Sequence, residues 1–67
     1  MENTIETIKI GHWYVDGFCN TNIITPIKDS AYQKGYRWQT VKSCINTEVA
    51  KIRCKHYNLH HEGIEIK

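Results

Sequence analysis

The stretch that most constrains this chain is Thr7 to Pro26, TIKIGHWYVDGFCNTNIITP. Two runs rich in Ile, Val and aromatics flank Asp16-Gly17, a pair that closes two-residue β-hairpins because Gly supplies the positive φ such a turn requires. With Asp16 and Gly17 alone in the loop, Val15 pairs with Phe18, Tyr14 with Cys19, His12 with Thr21, Ile10 with Ile23 and Ile8 with Thr25. Alternation then gives the hairpin two faces. Ile8, Ile10, Tyr14, Cys19 and Ile23 make an aliphatic face suited to a core. Trp13, Val15, Phe18 and Ile24 make a more aromatic one that needs a cover of its own. A lone hairpin is marginal in water, so other elements must pack on it.

Three further elements are available. After Pro26, which has no N–H for a ladder and is expected to end the second strand, IKDSAYQKG reads as a connection with a turn of helix around Ser30 to Lys34. Tyr36 to Thr40 alternates aromatic with polar and is expected to be a third short strand. From Thr40 the period changes. Val41, Ile45, Val49, Ile52, His56 and Leu59 fall within an arc of about 80° on a helical wheel, with Cys44 just outside it. This predicts a helix from about 41 to 58, capped by Thr40 or Ser43 and stopped by Asn58 and Gly63, with Ile52 facing the hairpin. Gly63 to Lys67 alternates like a final edge strand, and Met1 to Asn3 is expected to fray. The expected fold is α+β: a small antiparallel sheet, a hairpin plus one or two short strands, with one amphipathic helix packed on its aliphatic face. Sixty-seven residues leave room for a single domain, 1–67, with a thin margin of stability.

With 40% hydrophobic and 24% charged residues, the composition is that of a globular chain. No apolar stretch approaches a membrane span, and the opening MENTIETIKI lacks the pattern of a signal peptide. Three cysteines, Cys19, Cys44 and Cys54, with no export signal imply reduced thiols and a cytoplasmic protein. Each is expected to be a small buried hydrophobe. Between Lys28 and Lys55 seven cations stand against two anions, a local charge of +5 within a chain of net +2. Such asymmetry fits an acidic partner or nucleic acid, as well as an ordinary solvated face.

Chemistry-bearing constellations are few. Cys54, His56, His60 and His61 invite a zinc reading, because His-x-x-x-His puts two imidazoles one turn apart. Cys44, however, lies ten residues before Cys54, about 15 Å along a continuous helix. No metal and no cofactor are therefore expected. No nucleophile elbow, phosphate loop or metalloprotease helix is present, so a non-enzymatic role is expected.

Lys34-Gly35-Tyr36-Arg37-Trp38-Gln39-Thr40-Val41 resembles, over these eight residues, the basic-Gly-aromatic-x-aromatic core of RNA-recognition motifs and cold-shock domains. Arg37 and Gln39 stand where that pattern has a small and an aliphatic residue. The resemblance implies bases stacked on Tyr36 and Trp38. The competing and preferred expectation is that these two rings cover the hairpin's aromatic face, packing on Trp13 and Phe18.

The functional expectation is a small binding protein that modulates or inhibits a larger protein with an acidic surface, by analogy with short inhibitors encoded by phages and other mobile elements. The candidate binding residues are Lys34, Tyr36, Arg37, Trp38, Lys42, Trp13 and Phe18. The alternative is a nucleic-acid binder using Lys34 to Lys55. An exposed sheet edge would also permit a homodimer by strand pairing.

Overall fold

The computed structural model describes residues 8–65; the expectations for the extreme ends, 1–7 and 66–67, lie outside them. The elements are β1 (Lys9–Ile10), β2 (Tyr14–Val15), β3 (Asn22–Lys28), β4 (Tyr36–Ser43), α1 (Thr47–Leu59) and β5 (Ile64–Glu65). β2, β3 and β4 form a three-stranded antiparallel sheet in that order; β1 and β5 form a separate antiparallel pair. This is the small α+β fold that the sequence patterns predict, with several elements placed differently.

The principal hairpin is β3–β4, not the one around Asp16-Gly17. Its register runs from Asn22 opposite Ser43 to Lys28 opposite Tyr36, with a bulge between Ile23 and Ile24 that leaves Val41 as the extra residue of β4. The 29–35 connection contains turns, not the turn of helix expected around Ser30 to Lys34. Asp29 organises it: its carboxylate accepts from Ala31 N–H at 3.0 Å and from Arg37 Nε at 3.0 Å, while its own N–H donates to Gly35 C=O. Gly35 sits at φ +88, where a side chain would be strained.

The 16–21 loop departs from a two-residue turn. Asp16 Oδ1 accepts from Phe18 N–H at 2.9 Å, a local bond that offers the backbone an alternative to the tight turn, and Gly17 does not take a positive φ. The strands therefore pair later: Val15 opposite Ile23 and Tyr14 opposite Ile24. Phe18 is left fully exposed at the loop tip. This register puts Ile23 on the side of Val15 and Trp13, so the two faces expected from the tight turn are regrouped.

Pro26 does not end a strand. It is fully buried in the middle of β3, opposite Trp38. Because Asp29 N–H points at β4, alternation turns the nitrogen of Pro26 the other way, beyond the end of two-residue β2, where no ladder bond is lost.

The helix begins six residues later than the stripe predicts. Tyr36, Trp38, Thr40 and Val41 are aromatic or β-branched, and pairing with β3 claims them as strand through Ser43. Asn46, not Thr40 or Ser43, is the cap, its Oδ1 accepting from Val49 N–H at 2.9 Å. The C-terminal end is closed at His60, whose N–H donates to Tyr57 C=O.

The buried face of α1 is also not the large apolar stripe. Ala50 and Cys54 face inward and join Ile23 in the core, against which Trp13, Val15 and Cys44 pack. Small residues let the helix lie close to the strands. Asn58 and Tyr57 fix its rotation through Trp13: the amide of Asn58 binds both the N–H and the C=O of Trp13, and the rings of Trp13 and Tyr57 stack at 3.8 Å and 4°. Ile52 is consequently 65% exposed, and so does not face the hairpin.

Candidate functional site

The residues singled out by sequence fall into three separate places. Lys34, Tyr36, Arg37 and Trp38 are brought together, with Tyr32 and Gln33, around an open groove of about 330 Å³ at the turn end of β4. Trp13 is half-buried beneath α1, in the structural stack with Tyr57. Phe18 stands alone in the 16–21 loop, and Lys42 lies exposed toward the other end of β4. The expected packing of Tyr36 and Trp38 on Trp13 and Phe18 does not occur.

Trp38 is the middle ring of a row of three, with Tyr14 on one side and Tyr36 on the other. Trp38 meets Tyr14 edge to face at 5.7 Å and Tyr36 edge to face at 5.8 Å. Pairs of this geometry add about 0.5–1.5 kcal/mol beyond the area they bury. The row runs across the sheet from β2 to β4. Trp38 keeps 40% of its surface exposed and Tyr32, in the turn, 53%. Tyr14 hides in sequence because its partner is remote; its hydroxyl also accepts from Lys9 N–H at 2.9 Å, tying β1 to the same ring. Tyr32 was missed because it sits in a connection with no periodicity. Its signal is an aromatic within a turn, next to a cluster of cations.

The electrostatics of the groove are mixed. Arg37 is bonded to Asp29, which offsets part of its charge, whereas Lys34 is exposed. β4 is the outer strand of its sheet, and among the described residues no strand pairs with its free side. Its backbone therefore offers a row of N–H and C=O groups next to the groove.

The His-rich end of α1 forms bonds of its own. His61 Nδ1–H donates to Tyr57 C=O at 2.8 Å, since a carbonyl can only accept, and His12 Nε2–H donates to His61 C=O at 2.7 Å. Among the described residues, no group of three or more His, Cys, Asp or Glu side chains is placed to hold a metal.

The three thiols differ from one another. Cys19 is exposed, not buried as its residue type predicts; Cys44 is half-buried and Cys54 buried. Burial pushes the Cys54 thiol pKa upward, and the neighbouring Cys44 adds to it. Cys44 precedes the helix instead of lying on it, so the two cysteines meet at one cluster and the 15 Å separation of a continuous helix does not apply. No helix among the described residues is long and apolar enough to cross a membrane.

Compared with family models, with curated proteins and with solved structures, the chain matches none.

Proposed function

We propose that this protein is a small non-enzymatic binder that docks on a larger, acidic protein through the groove at β4. The observation that carries the reading is the coincidence of three features: the Tyr32–Trp38 groove, the cations Lys34 and Arg37, and the unpaired side of an eight-residue strand. An extended acidic segment would add to β4 by main-chain hydrogen bonds. Its side chains would enter the aromatic groove, and Lys34 would meet its carboxylates. Aromatic and Arg anchors of this kind dominate binding energies, so Trp38 is the expected hot spot. The consequence for the partner would be occlusion or altered activity.

Nucleic acid is the rival occupant. Tyr36 and Trp38 lie at 85° to each other, which does not present two parallel stacking platforms and weighs against it.

A photo-crosslinking residue at exposed Gln39 tests the proposal in cells. It should capture a specific acidic protein, and Trp38→Ala should abolish the capture without unfolding the chain. Titration with single- and double-stranded oligonucleotides at low and moderate salt tests the rival. Micromolar binding that persists near physiological salt would replace the protein-docking reading, because electrostatic nucleic-acid binding declines steeply with salt.

A further inference from the structure

The C-terminal end of α1 carries a pair of histidines that the packing of the helix does not use. His56, in the last turn, and His60, the C-cap, are both exposed. Their ring centroids lie 4.7 Å apart at 54°, a tilt that excludes face-to-face stacking. His12 and His61 commit ring nitrogens to the carbonyls of His61 and Tyr57. Among the described residues, no such bond engages His56 or His60. Two imidazoles held side by side with free nitrogens can chelate a transition metal.

We infer that His56 and His60 form a two-imidazole site for a late first-row divalent metal of the Ni(II) or Cu(II) type, its other positions filled by water. Spacing supports that choice. With metal–nitrogen bonds of about 2.0–2.1 Å, two imidazoles on one metal hold their centroids about 4.5 Å apart at a right angle and about 5.2 Å apart at the tetrahedral angle. The observed 4.7 Å lies closer to the first, the neighbouring positions of a square-planar or octahedral ion. The helix contributes as well, because its C-terminal carbonyls carry partial negative charge that favours a cation there. Arg53 lines the groove beside His56 and opposes a cation, but it is exposed, so water and salt screen it. A structural zinc would need more protein ligands than this pair, and no such group is placed among the described residues. The site is therefore a surface one, and folding does not depend on its being filled.

Ni(II) is the probe, because it suits imidazole and does not oxidise the exposed thiol of Cys19. Titrated into the full chain in a non-coordinating buffer, one equivalent should bind with a dissociation constant on the order of 10–100 µM, since the second imidazole closes the chelate intramolecularly. Paramagnetic broadening in amide NMR spectra should centre on residues 56–60. His56→Gln and His60→Gln should each weaken binding roughly tenfold or more, whereas Cys19→Ser should leave it unchanged. All three positions are exposed, so circular dichroism should stay that of the folded chain. Ni(II) should also raise the urea midpoint of the wild type but not of either histidine variant, because unfolding disperses the pair. Binding weaker than about 1 mM, broadening centred elsewhere, or an affinity indifferent to either histidine substitution would overturn the inference. So would a wild-type urea midpoint that Ni(II) leaves unmoved.

Discussion

Asn58 and Trp13 are joined amide to backbone: Asn58 Oδ1 accepts from Trp13 N–H at 2.8 Å, and Asn58 Nδ2 donates to Trp13 C=O at 2.9 Å. The bond pair locks the C-terminal half of α1 onto the segment that leads into β2, a strand too short to satisfy its own neighbours. Asn58→Ala leaves both backbone groups without that partner and should cost about 2–3 kcal/mol, read as a lower urea midpoint. Asn58→Asp keeps the acceptor but not the donor, and should also be destabilising. Wild-type stability in both variants would remove this pair from the account of how the helix is held.

Ile52 and Ala50 should respond in opposite ways to their sizes. Ile52→Ala removes a largely exposed side chain and should change stability by under about 1 kcal/mol. Ala50→Leu pushes a larger side chain into the seat facing Ile23 and should cost about 1–3 kcal/mol. Urea denaturation at low protein concentration separates the two. The reverse ranking would mean the helix is rotated, with its large apolar stripe inward.

Gly63 is required by close approach. A Cβ there would lie 2.5 Å from Lys9 Cβ and 3.0 Å from the His12 ring. Lys9 Cβ belongs to the base of a side chain fixed by the β1–β5 pairing, so it has little room to give. Gly63→Ala should cost about 1–3 kcal/mol. It should also increase amide exchange at Lys9 and Ile10 before it affects β3.

The Cys54 thiol titrates above its ordinary range because burial and Cys44 both disfavour the thiolate. The unfolded chain therefore loses this proton at lower pH than the folded one. The resulting stability is fully present below about pH 8.5 and declines as pH rises through the folded value. Urea midpoints should drop in alkaline buffer, and Cys54→Ala should flatten that drop. A thiol reagent at neutral pH should modify exposed Cys19 first and Cys54 last.

Hydrophobic periodicity located the strand-rich first half, the Tyr36 strand and the existence of a helix, because those signals are local. It failed where two elements compete for one residue. Val41 and Ile45 continue a helical period, yet β3 supplies a partner for Val41's neighbours, and Asn46 is a better cap than Thr40. It failed again on the orientation of α1, since a period identifies an apolar stripe without stating which molecule or element covers it. Small Ala50 and Cys54 carry little weight in such a pattern, although close packing favours them. At the candidate site, Lys34, Tyr36, Arg37 and Trp38 were legible as neighbours in sequence. Tyr14 was not, because strand register alone brings it to Trp38.

The pairing of β1 with β5 has a kinetic consequence. Lys9–Ile10 and Ile64–Glu65 come from opposite ends of the described chain, whereas β3 and β4 are joined by the short 29–35 connection. Closure entropy is small for the latter and must await the rest of the molecule for the former. The β3–β4 ribbon should form early, α1 should then be clamped through Asn58, and the β1–β5 seam should zip last. Being two residues wide, that seam should also part first under native conditions, exposing the Lys9 backbone while the central ribbon remains intact.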